Sequence, residues 1–348
     1  MAELIAYLDD NTNWKTSDLP VNQLTCINYA FAKFNGFQLV PHLKKINFIN
    51  MLKEKHPTLR TIISVGGWGT EGFSDAVATK ESRHTVIANL VSYMKRYNFD
   101  GIDIDWEYPG DSSAGIKSRS TDSVNLLHFL RELRTVLNGL VNSDHPRYWL
   151  TAAAGASDRL LNLMSPSSDY TYMAYLDYLN VMTYDMRGSG TKIAGHHTNL
   201  LPYNAPNGQL SANSAVQTLT THKIPTEKIV IGSAFYSRDW FGFDENIQKP
   251  IGKEAATFGD HTTAYGKLRE LISAYPQNVF WDDEAQAPFY FDGHRFSSYD
   301  DPHSMVKKAE YVLDRHLRGL MFWEYSLDRS NTLINAAANV LFKQPKSR

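Results

Sequence analysis

The chain has 348 residues, 43% of them apolar and 21% charged, which allows a sizeable core and argues against disorder. Lys and Arg number 35 against 37 Asp and Glu, a formal net charge of -2, so nothing draws the chain in bulk to nucleic acid or an anionic membrane. The single cysteine, Cys26, excludes an intramolecular disulfide framework and any CxxC metal or redox motif, and no apolar run approaches the roughly 18 residues of a membrane span.

Met1-Ala2-Glu3-Leu4 leads straight into an apolar segment, with no basic start and no small-residue cleavage site. This predicts either no export by the usual route or a mature, trimmed form. Short apolar runs then recur along the chain. They are Leu4–Leu8, Leu24–Phe31, Arg60–Val65, Gly101–Asp105, Trp149–Ala154, Tyr178–Met182, Ile229–Ala234 and Gly319–Trp323. Between them lie segments with apolar residues at i, i+3, i+4 spacing: Lys44–His56, Glu81–Asn98, Asp122–Leu140, Ser214–His222 and Met305–His316, with Asn331–Phe342 closing the chain.

Near-continuous apolar strands alternating with helices predict a parallel sheet covered by helices. Eight such units predict an α/β fold, a closed (β/α)8 TIM barrel. The interval from Ala234 to Gly319 is far longer than the others. It contains the helix candidate Thr263–Tyr275 and aromatic strand-like pieces, Asn278–Trp281 and Pro288–Phe291. The expected organisation is a barrel of residues 1–236 and 301–348 with a small α+β insertion domain over 237–300, between the seventh and eighth strands.

The segment Asp100-Gly-Ile-Asp103-Ile-Asp105-Trp-Glu107 carries the chemistry. Alternation along a strand puts Asp103, Asp105 and Glu107 on one face and Ile102, Ile104 and Trp106 on the other. In a barrel the apolar set packs on the helices and the acids point inward, toward the C-terminal mouth. Neighbouring carboxylates about 7 Å apart along the strand cannot all ionise cheaply, so at least one holds a proton near neutrality. Glu107, last in line, is the candidate general acid. In line along one strand, the three acids converge poorly on a metal ion.

The pattern Asp100-x-x-Asp103-x-Asp105-x-Glu107 resembles the DxxDxDxE signature of family 18 glycoside hydrolases, the chitinases and their relatives. Ser64-Val-Gly66-Gly67-Trp68 is similar to the family's SxGG motif, Met182-Thr-Tyr184-Asp185 to its MxYD motif, and Tyr236-Ser-Arg238 to its YxR segment. Trp323 matches the tryptophan that floors the family's cleft, and Tyr7 a first-strand aromatic. The 237–300 segment resembles the chitinase insertion domain.

Spacing alone would allow Asp105 to be the nucleophile of a retaining glycosidase, whereas family 18 is a substrate-assisted exception. The resemblance implies attack by the substrate's own 2-acetamido carbonyl, with Glu107 as general acid and base. It also implies that Asp105 orients the acetamido group, Asp103 backs Asp105, and Tyr184 donates to the acetamido oxygen. It implies substrate binding by Tyr7, Trp68, Asp100, Met182, Asp185, Tyr236, Arg238 and Trp323, with no cofactor and no metal. Trp14, Trp240 and Trp281 are candidates for extending the cleft, whereas Trp106 and Trp149 read as core.

No phosphate-loop pattern accompanies Gly66-Gly67, and the adjacent His196-His197 point apart on an extended chain, which reads as structural. The implied activity is hydrolysis of chitin and N-acetylglucosamine oligosaccharides by a secreted monomer, without nucleic-acid or membrane partners. The alternatives are an endo-β-N-acetylglucosaminidase acting on N-glycans and a chitin-binding lectin. The presence of Glu107 disfavours the lectin.

Overall fold

The computed structural model describes residues 2–40, 43–143, 145–167 and 169–343. Eight parallel strands close into a barrel in chain order: β1 (Glu3–Asp9), β2 (Cys26–Ala32), β3 (Arg60–Gly66), β4 (Gly101–Asp105), β5 (Trp149–Gly155), β6 (Tyr178–Met182), β7 (Ile229–Ala234) and β8 (Gly319–Trp323). β1 pairs with β8 through Glu3–Gly319 and Ala6–Phe322, which closes the cylinder and leaves it no free edge.

Period-2 alternation divides the strand residues into two apolar sets. Ile5, Tyr7, Cys26, Ala30, Ile62, Tyr178, Val230 and Met321 fill the lumen. Leu4, Leu8, Ile27, Ile63, Val65, Ile102, Ile104 and Ile231 face the helices. Helix Asp122–Gly139 shows how the coat is held. Leu126, Phe129, Leu130, Leu133 and Leu137 make one buried stripe, and truncating any of these leucines to Ala costs about 2–5 kcal/mol. Helix Pro302–Asp314 starts at Asp301, whose side chain accepts the Ser304 N–H at 2.7 Å, with Pro at the first turn where no N–H is needed.

The alternation of strand and helix is incomplete in two places. Between β1 and β2 stand two 3-10 turns, Thr16–Asp18 and Val21–Gln23, rather than a helix. After β5 comes only the short helix Asp158–Leu163, which the sequence pattern did not suggest.

The insertion between β7 and β8 holds a five-stranded antiparallel sheet in the order His261–Ala264, Tyr236–Phe241, Arg295–Ser298, Ala287–Phe291, Val279–Asp282, with helix Tyr265–Ala274. Its first strand begins at Tyr236, only two residues after β7 ends. A buried ion pair ties its end to the coat: Lys308 donates to Asp300 at 2.7 Å, both wholly buried. Asp300 also accepts from Thr198, Ser304 and the Ala234 N–H. No helix among the described residues is long and apolar enough to cross a membrane.

Candidate active site

Asp103 occupies the middle of the lumen and is fully buried. Four donors from four strands converge on it. Tyr7 (β1, 3.0 Å) and Ser64 (β3, 2.7 Å) donate to Oδ2, while Thr151 (β5, 2.6 Å) and Asn180 (β6, 3.3 Å) donate to Oδ1. Burial raises its pKa, and these hydrogen bonds oppose the rise.

Asp105, two residues up and 3% exposed, has an Oδ1 that lacks a hydrogen-bond partner among the described residues. Burial, then the charges of Glu107 and Asp103, push its carboxyl well above the usual range. Glu107 lies two residues beyond the end of β4 and is half-buried. Burial foremost, with a contribution from the Asp185 charge, raises its pKa to about 7.

The end of β3 is shaped to fit this strand. The Gly67 N–H donates to the Asp105 carbonyl at 2.9 Å. A Cβ on Gly66 would lie 1.9 Å from the same oxygen, and Gly66 and Gly67 have φ of 123° and 87°. Only glycine permits both the approach and the left-handed backbone.

Tyr184 stands just past β6, its hydroxyl 3.8 Å from Met321 Sδ. Burial, then the charges of Asp105 and Glu107, push its pKa up, so the hydroxyl keeps its proton. Its ring fits over Gly232 of β7, where a Cβ would come within 2.7 Å of the ring. Asp185 follows in left-handed backbone at φ 51°, with 41% of its side chain exposed. It accepts from Arg238 Nε at 2.6 Å, and its own N–H donates to His197 Nδ1 at 3.3 Å. Burial opposes its charge, but the His197 and Arg238 contacts outweigh burial and hold the carboxyl well below the usual range.

Aromatic rings complete the mouth. Trp323, ending β8, stacks on Phe31 at 5.3 Å and meets Tyr7 at 5.8 Å. Trp68 is 60% exposed beside Tyr108, and Tyr236 lies 5.4 Å from His197. Met182 ends β6, half-buried against the lumen cluster.

The structure thus gathers Tyr7, Trp68, Asp103, Asp105, Glu107, Met182, Tyr184, Asp185, Tyr236, Arg238 and Trp323 in the upper lumen and around the C-terminal ends of the strands. Asp100 is a correction. It precedes β4, at the opposite end of the barrel, where its carboxylate accepts from Lys53 at 2.6 Å and from the Thr61 N–H at 2.9 Å. It is an anchor of the strand's start and belongs to no sugar site. Trp14 and Trp240 are also corrections, being 4% and 0% exposed inside the core. Trp281 stacks on His303 at 4.1 Å, against helix Pro302–Asp314. Trp106 is core, stacked on Phe73, while Trp149 is half-buried at the base of the lumen.

The adjacent histidines take different partners, His196 meeting Asp282 and His197 meeting Asp185. Sequence reasoning missed His197, Phe31, Thr151 and Asn180. The last two share the inward parity of Asp103 on neighbouring strands, which is the signal that could have found them.

A barrel whose upper lumen carries buried acids with raised pKa values beside an aromatic rim is suited to acid–base chemistry on a polar organic substrate. The family model for glycosyl hydrolases family 18 matches residues 3–328. Over 312 residues the chain is 34% identical to chitinase A1 of Niallia circulans, covering 85% of this chain and 44% of that protein. A glycoside hydrolase family 18 N-acetylglucosaminidase from Paenibacillus barengoltzii matches with TM-score 0.90 at 34% identity, over 98% of this chain and 100% of that one. The Ostrinia furnacalis group IV chitinase in complex with allosamidin matches with TM-score 0.84 at 26% identity, over 98% and 99% of the two chains. The chain belongs to glycosyl hydrolases family 18. It spans less than half the length of chitinase A1.

Proposed function

We propose that this protein hydrolyses β-1,4 linkages between N-acetylglucosamine units of chitin and its oligosaccharides, with retention, using the substrate's acetamido group as nucleophile. The observation that carries the reading is the row of acids Asp103, Asp105 and Glu107 rising to the mouth, where burial pushes the Glu107 carboxyl up to about 7. Glu107 gives its proton to the glycosidic oxygen while the acetamido carbonyl attacks the anomeric carbon, so the bond from that carbon to the glycosidic oxygen breaks, the remaining chain leaves with a free hydroxyl, and an oxazolinium ion forms. The resulting Glu107 carboxylate then takes a proton from water as that water attacks the anomeric carbon and displaces the acetamido oxygen, opening the oxazolinium ring.

Asp105 has a buried oxygen free to accept the acetamido N–H. That contact fixes the attacking oxygen and favours the positive charge that develops. Asp103 shares the proton load below it, so the two titrate as a unit. The protonated Tyr184 hydroxyl donates to the acetamido oxygen. Trp323, Tyr7, Trp68 and Tyr236 offer ring faces to sugar C–H groups, and Asp185 and Arg238 offer polar atoms to sugar hydroxyls. Likeness to chitinase A1 and to a chitinase that binds allosamidin supports the reading.

A second reading is release of single N-acetylglucosamine units, favoured by the full-length match to the Paenibacillus N-acetylglucosaminidase. Product profiles on chitin oligomers separate the two, oligomers indicating the first and monomer alone the second. Glu107→Gln is expected to lose about 10²–10⁴-fold in kcat on either substrate. Unchanged turnover in that variant would remove Glu107 from the mechanism.

A further inference from the structure

The opposite end of the barrel carries a polar cluster that sugar hydrolysis does not use. Trp149, the first residue of β5, lies half-buried at the lumen base. Three guanidiniums face its indole: Arg60 at 4.0 Å from the ring centroid, Arg318 at 5.1 Å and Arg147 at 5.6 Å. All three arise at strand starts, Arg60 opening β3, Arg318 preceding β8 and Arg147 lying just ahead of β5.

Two carboxylates serve these arginines, and each is shared. Glu3 pairs with Arg60 at 2.5 Å and with Arg318 at 2.7 Å. Asp177 pairs with Arg134 at 2.5 Å and with Arg147, and also accepts the Leu150 N–H at 2.7 Å. Each group of two arginines and one acid keeps one positive charge in excess. Lys228 and Glu227 line the same wall and offset one another. Two surplus positive charges therefore remain over the cluster as a whole. In addition, Nε of Arg318 is buried with no hydrogen-bond partner among the described residues. Buried guanidinium N–H groups are rarely left so unless water or an ion completes them.

A pocket of about 430 Å³ opens at this cluster, with Arg134, Arg147, Trp149, Asp177, Lys228 and Arg318 in its walls. That volume is within the range of small-molecule sites. Planar guanidiniums match the oxygens of phosphate-like anions two at a time, and stacking on an indole fixes their orientation in advance. We propose that this pocket is a binding site for a small, doubly charged oxyanion, with inorganic phosphate its simplest member. The site lies at the N-terminal end of the strands, away from Glu107, and is no part of the sugar cleft.

The test titrates inorganic phosphate into the full chain at constant ionic strength, set with sodium chloride. Binding is read by calorimetry and by the shift in Tm. The wild type is expected to saturate. Arg147→Gln, whose side chain is 55% exposed and dispensable to the core, is expected to weaken binding at least about tenfold. Arg318→Gln is expected to weaken it similarly, and if that variant does not fold, Arg147→Gln decides alone. No saturable response beyond that of sodium chloride overturns the proposal. So does equal affinity in the wild type and Arg147→Gln, and the cluster is then an ion-pair network that only holds strand starts together.

Discussion

Tyr7 on β1 and Asp103 on β4 meet in the interior of the barrel, the phenol donating to the carboxylate at 3.0 Å. The bond links residues 96 positions apart and is one of four that hold the central acid. Tyr7→Phe leaves Asp103 buried with three donors. Loss of about 1–3 kcal/mol is expected in urea unfolding at pH 7, because a buried carboxyl acceptor loses a partner that water cannot replace. An unchanged midpoint would mean that the phenol is not engaged.

In the proposed mechanism Glu107 connects activity with stability. Its folded pKa of about 7 exceeds the value near 4.5 of an exposed glutamate. A raised folded pKa contributes stability that is fully present below the unfolded value and is lost as pH rises through the folded one. Between pH 4.5 and about 7 the wild type should therefore lose stability that Glu107→Gln retains. At pH 8 the variant is expected to be the more stable, by at most about 3 kcal/mol, and at pH 4 the difference should vanish. Urea unfolding at both pH values checks this.

In the proposed mechanism the same proton sets the alkaline limb of kcat/KM, expected near pH 7 for the free enzyme. The Asp185 charge is among the causes that raise the Glu107 pKa. Removing that charge in Asp185→Asn lowers the pKa, so the alkaline limb should move to lower pH. A limb that moves upward or stays in place contradicts the electrostatic account.

Gly232 makes room for the Tyr184 ring. Gly232→Ala places a methyl 2.7 Å from the ring and 2.9 Å from Met321 Cε, so the phenol must move. A fall in kcat of up to about 10²-fold is expected on chitin oligomers while circular dichroism keeps the barrel signature, since small misplacements of an orienting group are costly.

Lys308 and Asp300 form a pair with no solvent contact. Lys308→Met strands a buried carboxylate and should cost about 3–5 kcal/mol, whereas pairing it with Asp300→Asn should return part of that loss. A double variant no better than the single would show that the charge is not the source.

The alternation of apolar and acidic residues makes β4 legible in the sequence. Ile102 and Ile104 had to face the helices, so Asp103 and Asp105 had to face inward. Asp100 misled because the motif that names it does not carry its depth. One residue ahead of the strand, it lies at the far end from Glu107 and pairs with Lys53. Ser64, Thr151 and Asn180 share the inward parity of Asp103, but which inward residues reach its carboxyl depends on the register between strands, which is not written locally in the chain. Trp14 and Trp240 show the limit of composition: a tryptophan outside the barrel strands has equal reason to seal a core. His197 read as structural because its chemistry depends on the backbone of Asp185, which lies 12 residues away.

The contact between Gly66 and the Asp105 carbonyl sets a condition for transplantation. An engineer who copies the acidic strand onto another cylinder will obtain the carboxyl groups but not their height at the rim. The adjoining strand must also finish in two residues without side chains, or the recipient scaffold will be wedged apart where the donor is drawn together.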